Sequence, residues 1–463
     1  MKFGMTSAVV AVAVANCWAL PAHAQDADSA AIQQELAEMR AMMGRMAERI
    51  DTLEAELAEA EAKADAAQAR AGEAVASAAA AQESATAHGS SPAIAFKGAP
   101  EIKGEGGWSF KPRGRLMYDT GFTSVPGTTG RDDGFGSEVR RARLGVQGDM
   151  PGGFGYKFEM DFAGNEVEVA DAFISYEAGD AEIAVGHQNN FQSLEELTSS
   201  LNTSFIERAA FTDAFGFERR IGIGATYGTG IVLAQAGIFT DNFDDTATGN
   251  IGGDARLVLM PTMGDAQLHF GGSVHYNDIK EDGASVRYRQ RPLVHFTSER
   301  FVNTGNIAAT SETGFGLEAA AIAGPFHAAG EAFWQQVGRI GDLDDATFFG
   351  GYAEVGYFLT GGDSRGYKGG KFDRIKPANP VGDGGFGAVQ VNLRYDYLDL
   401  NDADIVGGKQ DGYMASLIWS PTAYTRLMAN YARLSYTDAF YEAAGGDTSY
   451  GVDAFGVRAQ IDF

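Results

Sequence analysis

Cysteine is almost absent: Cys17 is the only one in 463 residues, and it lies in the N-terminal leader. Residues 1–24 have a basic start at Lys2, an apolar run from Ala8 to Leu20 and the small-residue ending Ala22-His23-Ala24 before Gln25. That is the pattern of a secretory signal peptide cut after Ala24, and Asn16 is a poor residue to precede a lipidated cysteine. The mature chain then has no thiol, which excludes disulfides, thiol catalysis and cysteine metal sites. Long hydrophobic runs are lacking too: beyond the leader nothing approaches the roughly 20 consecutive apolar residues of a membrane helix. An exported chain of this kind is either soluble beyond the inner membrane or inserted as a β-barrel.

Histidine is sparse at 7 residues and scattered, with no His-x-x-x-His pair on a helix and no nucleophile elbow. His269 and His275 share a strand parity but would stand about 20 Å apart, too far to hold one metal. Gly222-Ile223-Gly224 with Gly228 alternates like a strand and lacks the strand-to-helix setting of a nucleotide fingerprint. No enzyme, cofactor or metal is expected, nor is nucleic acid as a partner. Proline is scarce at 12 residues, whereas glycine reaches 61 and aromatics 11%, a balance suited to many strands and turns.

Residues 25–78 carry apolar or small residues at alternating spacings of three and four: Ile32, Leu36, Met39, Met43, Met46, Ile50, Leu53 and Leu57, then alanines from Ala60 to Ala78. Sustained heptads predict an α-helical coiled coil, strongest where the seam side chains are large. Residues 79–106 are rich in Ala, Ser and Gly and read as a linker.

From 107 to 463 the period changes to two. Phe154, Tyr156, Phe158, Met160 and Phe162 alternate with Gly155, Lys157, Glu159, Asp161 and Ala163, and Asp149-Met150-Pro151-Gly152-Gly153 turns this segment back on Glu138–Gly148. The same alternation recurs down to Phe455, Val457, Ala459, Ile461 and the final Phe463. A soluble sandwich permits such a pattern, but large aromatics on most strands, segments of about ten residues and short turns set against long loops favour a transmembrane antiparallel β-barrel of about 16 strands. The long loops are 188–216 and 361–385. The net charge of −26 resides largely in the coiled coil and in acidic loops such as Asp241–Asp245 and Asp342–Asp345, and global charge does not set the selectivity of a narrow pore.

Several stretches in order resemble the phosphate-selective porin O and P family: Glu138-Val139-Arg140-Arg141-Ala142-Arg143-Leu144-Gly145, Tyr156-Lys157-Phe158-Glu159, Ser193-Leu194-Glu195-Glu196-Leu197-Thr198-Ser199, Arg287-Tyr288-Arg289-Gln290-Arg291-Pro292, Tyr357-Phe358-Leu359-Thr360-Gly361, and Arg394-Tyr395 with Leu398-Asp399-Leu400. The resemblance implies a trimeric bacterial outer-membrane channel with one loop folded inward, basic side chains guiding small anions, and membrane lipid and lipopolysaccharide as surroundings. The coiled coil would lie in the periplasm, where contact with the cell wall is the alternative reading, a tether with the barrel as anchor.

Selecting anions requires fixed positive charge where the ion sheds water, and arginine's planar fork suits oxyanions. Arg113, Arg115, Arg141, Arg143 and Lys157 fall on the polar parity of adjacent early strands. Arg287, Arg289 and Arg291, at spacing two, would stack as a ladder, and Arg394 lies on the polar parity of a later strand. Arg140 has the wrong parity for a regular strand, so only a bulge or strand end would turn it inward. The segment Phe191–Arg208 is the expected inward loop, with Ser193, Glu195, Glu196, Thr198 and Arg208 at the constriction, and its acidity, like Glu159 and Asp161, weighs against anion selectivity.

Overall fold

The computed structural model describes residues 27–86, 92–164, 166–243, 249–280 and 284–463. The leader at 1–24 lies outside the described residues, as do the first residues of the heptad segment and part of the linker. The chain divides into two units, at Met1–Ser91 and Pro92–Phe463.

In the first unit, α1 (Ala27–Thr86) is one uninterrupted helix. Met43, Met46, Ile50, Leu53 and Leu57 on its seam are each more than half exposed, so the helix alone buries none of them.

The second unit is a closed barrel of sixteen strands. They are β1 (Ser109–Ser124), β2 (Gly134–Met150), β3 (Phe154–Asp161), β4 (Glu168–Ala178), β5 (Ala181–Asn189), β6 (Arg219–Thr229), β7 (Val232–Phe239) and β8 (Ile251–Leu259). The second half comprises β9 (Ala266–Asp278), β10 (Ile307–Ala323), β11 (Phe326–Arg339), β12 (Ala346–Phe358), β13 (Ala388–Asp402), β14 (Ile405–Thr422), β15 (Thr425–Thr437) and β16 (Tyr450–Asp462). Each pairs antiparallel with its neighbour in sequence, and β16 returns to β1, with Phe455 opposite Phe122 and Asp462 opposite Arg115. Closure leaves no sheet edge in the wall, which a barrel in lipid requires. The last residue completes the seam: Phe463 N–H donates to Gly114 O at 3.0 Å, and its ring lies where any side chain at Gly114 would collide with it.

The period of two sorts the wall as the sequence predicts. Leu116, Tyr118, Phe122, Phe154 and Phe158 face outward and are exposed, whereas Arg115, Asp119, Glu159 and Asp161 are buried on the lumen side. Residues 93–103, inside the segment read as linker, are more ordered than that reading: Ala93–Lys97 and Ala99–Lys103 form a hairpin that joins β1 through Ile102 opposite Phe110.

Short turns such as 151–153, 179–180 and 324–325 share one rim with the chain ends, which marks that rim as periplasmic. One connection breaks the pattern. Residues 359–387, between β12 and β13, form a long segment on the short-turn rim that folds back into the lumen, where Arg256 donates to Gly370 O at 2.9 Å and His269 bonds Tyr367 Oη at 2.7 Å.

The lumen is not polar throughout. Phe205, Phe211, Phe215 and Phe217, on the loop between β5 and β6, pack with Phe333, Phe348, Tyr352 and Met414 of the wall into one apolar core. Phe211 stacks 5.9 Å from Phe333 and 6.4 Å from Tyr352. Strand β12, Ala-Thr-Phe-Phe-Gly-Gly-Tyr, is apolar on both parities because its inner face meets protein.

Candidate functional site

The loop at 190–218 is held by acceptors that the wall offers to its backbone. The Glu331 carboxylate on β11 accepts the N–H groups of Leu194 (2.9 Å) and Glu195 (2.7 Å), at the start of the short helix α2 (Leu194–Leu197). Asn430 on β15 accepts from Ile206 N–H at 2.7 Å, and Asp396 on β13 from Ala210 N–H at 3.0 Å. Charged acceptors on otherwise orphaned helix N–H groups are strong anchors. Ser193 caps α2, its Oγ accepting from Glu196 N–H, with a backbone φ of 64°. Lumen-facing glycines complete the fit: a Cβ at Gly350 would strike Phe211, and one at Gly456 would strike Ile206. The periplasmic-rim segment meets this loop from the other side, Arg365 donating to Asn202 O and Phe372 N–H to Thr198 Oγ1 at 3.3 Å.

Two chambers flank the loop. The outer, of about 320 Å³, is lined by Arg140, Arg141, Arg208, Arg219 and Arg291 together with Glu196, Glu207, Asp213 and Glu218. The inner, of about 530 Å³, is lined by Lys157, Lys368 and Lys371 against Asp171, Glu182 and Asp373, with Phe173, Phe191 and several amides between. Arg219 of the outer chamber donates to Asp171 of the inner at 2.8 Å, so this pair stands on the divide.

Most of the sequence-selected cations carry carboxylate partners. Arg115 lies 3.3 Å from Glu159, Arg143 contacts both Glu159 (3.2 Å) and Asp161 (2.7 Å), and Lys157 bonds Asp171 at 2.6 Å. Arg113 donates to the Gln147 amide oxygen. Arg140 is the extra residue of a β-bulge: Met117 pairs with Arg141 and Tyr118 with Val139, leaving Arg140 between them. The bulge turns it inward onto Glu207, with contacts of 2.7 and 3.0 Å. Glu207 also meets Arg458, itself on Asp119, and these arginines outweigh burial to hold the Glu207 carboxyl well below its usual range. Arg141, beside the bulge, is 8% exposed and opens on the outer chamber, and its side chain makes neither a hydrogen bond nor an ion pair among the described residues.

Other sequence-selected residues serve the scaffold. Arg208 donates to the carbonyls of Glu195, Glu196 and Thr198, each at 3.0 Å, bracing the end of α2. Arg394 is fully buried on Glu195 and Glu354 and lies over the Phe205 and Tyr352 rings, so it faces packed protein and not an open pore. The three arginines at spacing two do not form a wall ladder. They lie in the connection 279–306, where the interleaved Tyr288 and Gln290 are buried. Arg287 and Arg289 are exposed, and Arg291 alone of the three lines the outer chamber. Arg219, Asp171, Lys371 and the inward segment 359–387 escaped sequence reasoning. The tandem Arg219-Arg220 repeats the Arg140-Arg141 signal at a strand start, but nothing in the sequence distinguishes an inward turn from a long polar loop.

A closed barrel narrowed by an inward loop and lined by ionised groups is the architecture of an outer-membrane channel. A family profile described as phosphate-selective porin O and P matches residues 110–463, and the chain belongs to that family. It is 42% identical to an uncharacterized protein of Caulobacter vibrioides, over 99% of this chain and 96% of that one. The outer-membrane expressed OmpT of Vibrio cholerae shares the fold at 11% identity and a TM-score of 0.51, covering 78% of this chain and all of that one. The in-vitro folded trimer form of OmpT matches at 14% identity and a TM-score of 0.50, over 77% of this chain.

Proposed function

We propose that this channel passes small hydrophilic solutes by diffusion, with a preference for anions set in the outer chamber. The observation that carries the preference is Arg141, a buried guanidinium without a hydrogen-bond or ion-pair partner among the described residues, beside a bulge that adds Arg140 to the same chamber. Five arginines there face four carboxylates, a small positive excess, and the paired cations along β2 and β3 add polar footing more than net charge. Anion preference of modest size follows, since selectivity reflects the field at the narrow part. Phosphate is a reasonable permeant because an arginine fork matches an oxyanion.

The chain acts in this reading as a homo-oligomer, a trimer, exported by its leader and surrounded by lipid and lipopolysaccharide. The exposed heptad seam of α1 supports self-association through a periplasmic coiled coil.

In planar bilayers, Arg141→Glu combined with Arg143→Glu will lower the anion-to-cation permeability ratio. Reversal potentials in chloride and phosphate gradients measure it. An unchanged reversal potential would remove the anion preference from these residues.

A further inference from the structure

Glu196 occupies an unusual position in the outer chamber. It belongs to α2, whose backbone is fixed at three points: Glu331 holds its first N–H groups, Ser193 caps it, and Arg208 takes its last carbonyls. The backbone of α2 is thus held with Glu196 lining the outer chamber, and its carboxylate lies 3.3 Å from Arg208 Nε. Arg208 is occupied by main-chain oxygens, so it answers Glu196 only in part. Among the described groups facing Glu196 are Arg141 on β2, Arg219 on β6, and Arg208 and Glu195 on its own loop. The same chamber also receives Arg140, Glu207, Asp213, Glu218, Arg291 and His295, the last bonded to Glu138 at 2.8 Å.

Two carboxylates near this chamber have closer cationic engagement, whereas Asp213 meets Arg291 only at 3.9 Å. Glu207 is bound by Arg140 and Arg458, and Asp171 behind the divide by Arg219 and Lys157. We propose that Glu196 sets the anion selectivity of the outer chamber. As a carboxylate it offsets Arg141, and once protonated it leaves five arginines facing three carboxylates, so the channel selects anions more strongly in mild acid than at neutral pH. The direction of its titration agrees. Burial holds the Glu196 carboxyl above its ordinary range, against the pull of Arg208, Arg219 and Arg141. A carboxyl raised in this way gains its proton as pH falls toward that value, before a solvent-exposed glutamate would.

This inference rests on the channel reading and is tested so that the two fail separately. Full-length channels are reconstituted in planar bilayers, and reversal potentials are read in a potassium chloride gradient from pH 8 to pH 5. A histidine ordinarily changes charge in this interval, so the series is carried in a His295→Gln background, with and without Glu196→Gln. With Glu196 present, the chloride-to-potassium permeability ratio should rise roughly two- to four-fold toward pH 5, the effect of one charge a few ångströms from the path. With Glu196→Gln the ratio should start high at pH 8 and stay nearly flat. A Glu196→Gln channel that keeps the lower ratio and its acid-dependent rise overturns the proposal. If that variant does not assemble, Glu196→Asp serves instead: its withdrawn carboxylate should give a pH 8 ratio above that with Glu196, and an equal or lower ratio refutes the role. Selectivity that responds to Arg141→Gln but not to Glu196 leaves the channel reading standing and this one lost. Absence of conductance from the unsubstituted protein would sink the channel reading itself.

Discussion

Along β10–β16 the side chains of the 190–218 loop are shut into protein, and along β2–β7 the same loop faces open chambers. The first wall offers Phe333, Phe348, Tyr352 and Met414 to the loop, the second Arg141, Lys157, Gln188 and Arg219. One loop therefore has two functions. Its packed side fixes position through apolar burial and backbone acceptors, and its open side presents charge to whatever passes. The two chambers accordingly lie on the β2–β7 side of the lumen, with the Arg219–Asp171 pair between them.

The largest expected effect falls on the packed wall. Phe211→Ala removes a ring stacked on Phe333 and Tyr352 and edge-on to Phe217, and should cost about 3–5 kcal/mol of stability. Thermal unfolding in detergent should show the loss, and single-channel records should show a wider, noisier conductance as the loop loosens. If Phe211→Ala behaves like the parent in both, the contrast between the walls is wrong. A smaller loss, about 1–3 kcal/mol, is expected for Glu331→Ala, which strips the acceptor from two buried N–H groups of α2. Its conductance should fluctuate more than its thermal stability suggests, since the damage is confined to the loop entrance.

Glu207 gives the comparison a pH axis. Its folded pKa is depressed, so its contribution to stability is complete above the ordinary glutamate range and is lost as pH falls through the lower folded value. The stability deficit of Glu207→Gln should accordingly be full at pH 7 and shrink in strong acid. Thermal unfolding of both proteins across pH 7 to pH 2 measures it, and a deficit that grows on acidification would contradict the sign.

How much of this could be read from the sequence follows the same division. The outer wall was legible because lipid imposes a strict period of two, and Phe154 to Phe162 display it without interruption. The alternation down to Phe463 was legible on the same grounds, and an inward loop was expected from the resemblance. The bulge at Arg140 was legible as a conflict, a family-like arginine on the wrong parity, and the register shift at Met117 resolves it. The packed wall was not legible. Apolar residues on the inner parity of β12 signal burial but do not name their partner, and Arg394 looks like a pore residue until Phe205 and Tyr352 cover it. The ladder reading of Arg287 to Arg291 failed because spacing of two has meaning only within a regular strand, and those residues belong to a loop in which the interleaved Tyr288 and Gln290 are buried.

The smallest expected effect concerns the helix. Residues 27–86 belong to a unit separate from the barrel, and the barrel's own ordering begins with the hairpin at 93–103, tied to β1 through Ile102 and Lys103. Removing residues 25–91 while keeping the leader should therefore leave single-channel conductance and ion selectivity nearly unchanged, because the chambers draw no described residue from that segment. Extending the deletion through residue 103 should do more. It removes Lys97, whose carbonyl accepts from Lys111 at 3.0 Å, and Gly98, which lies close against Tyr424 and Phe463 at the barrel seam. A modest fall in thermal stability with conductance retained is the expected outcome. If the shorter deletion already abolishes conductance, the helix is part of the channel, and the open wall does not by itself define the path.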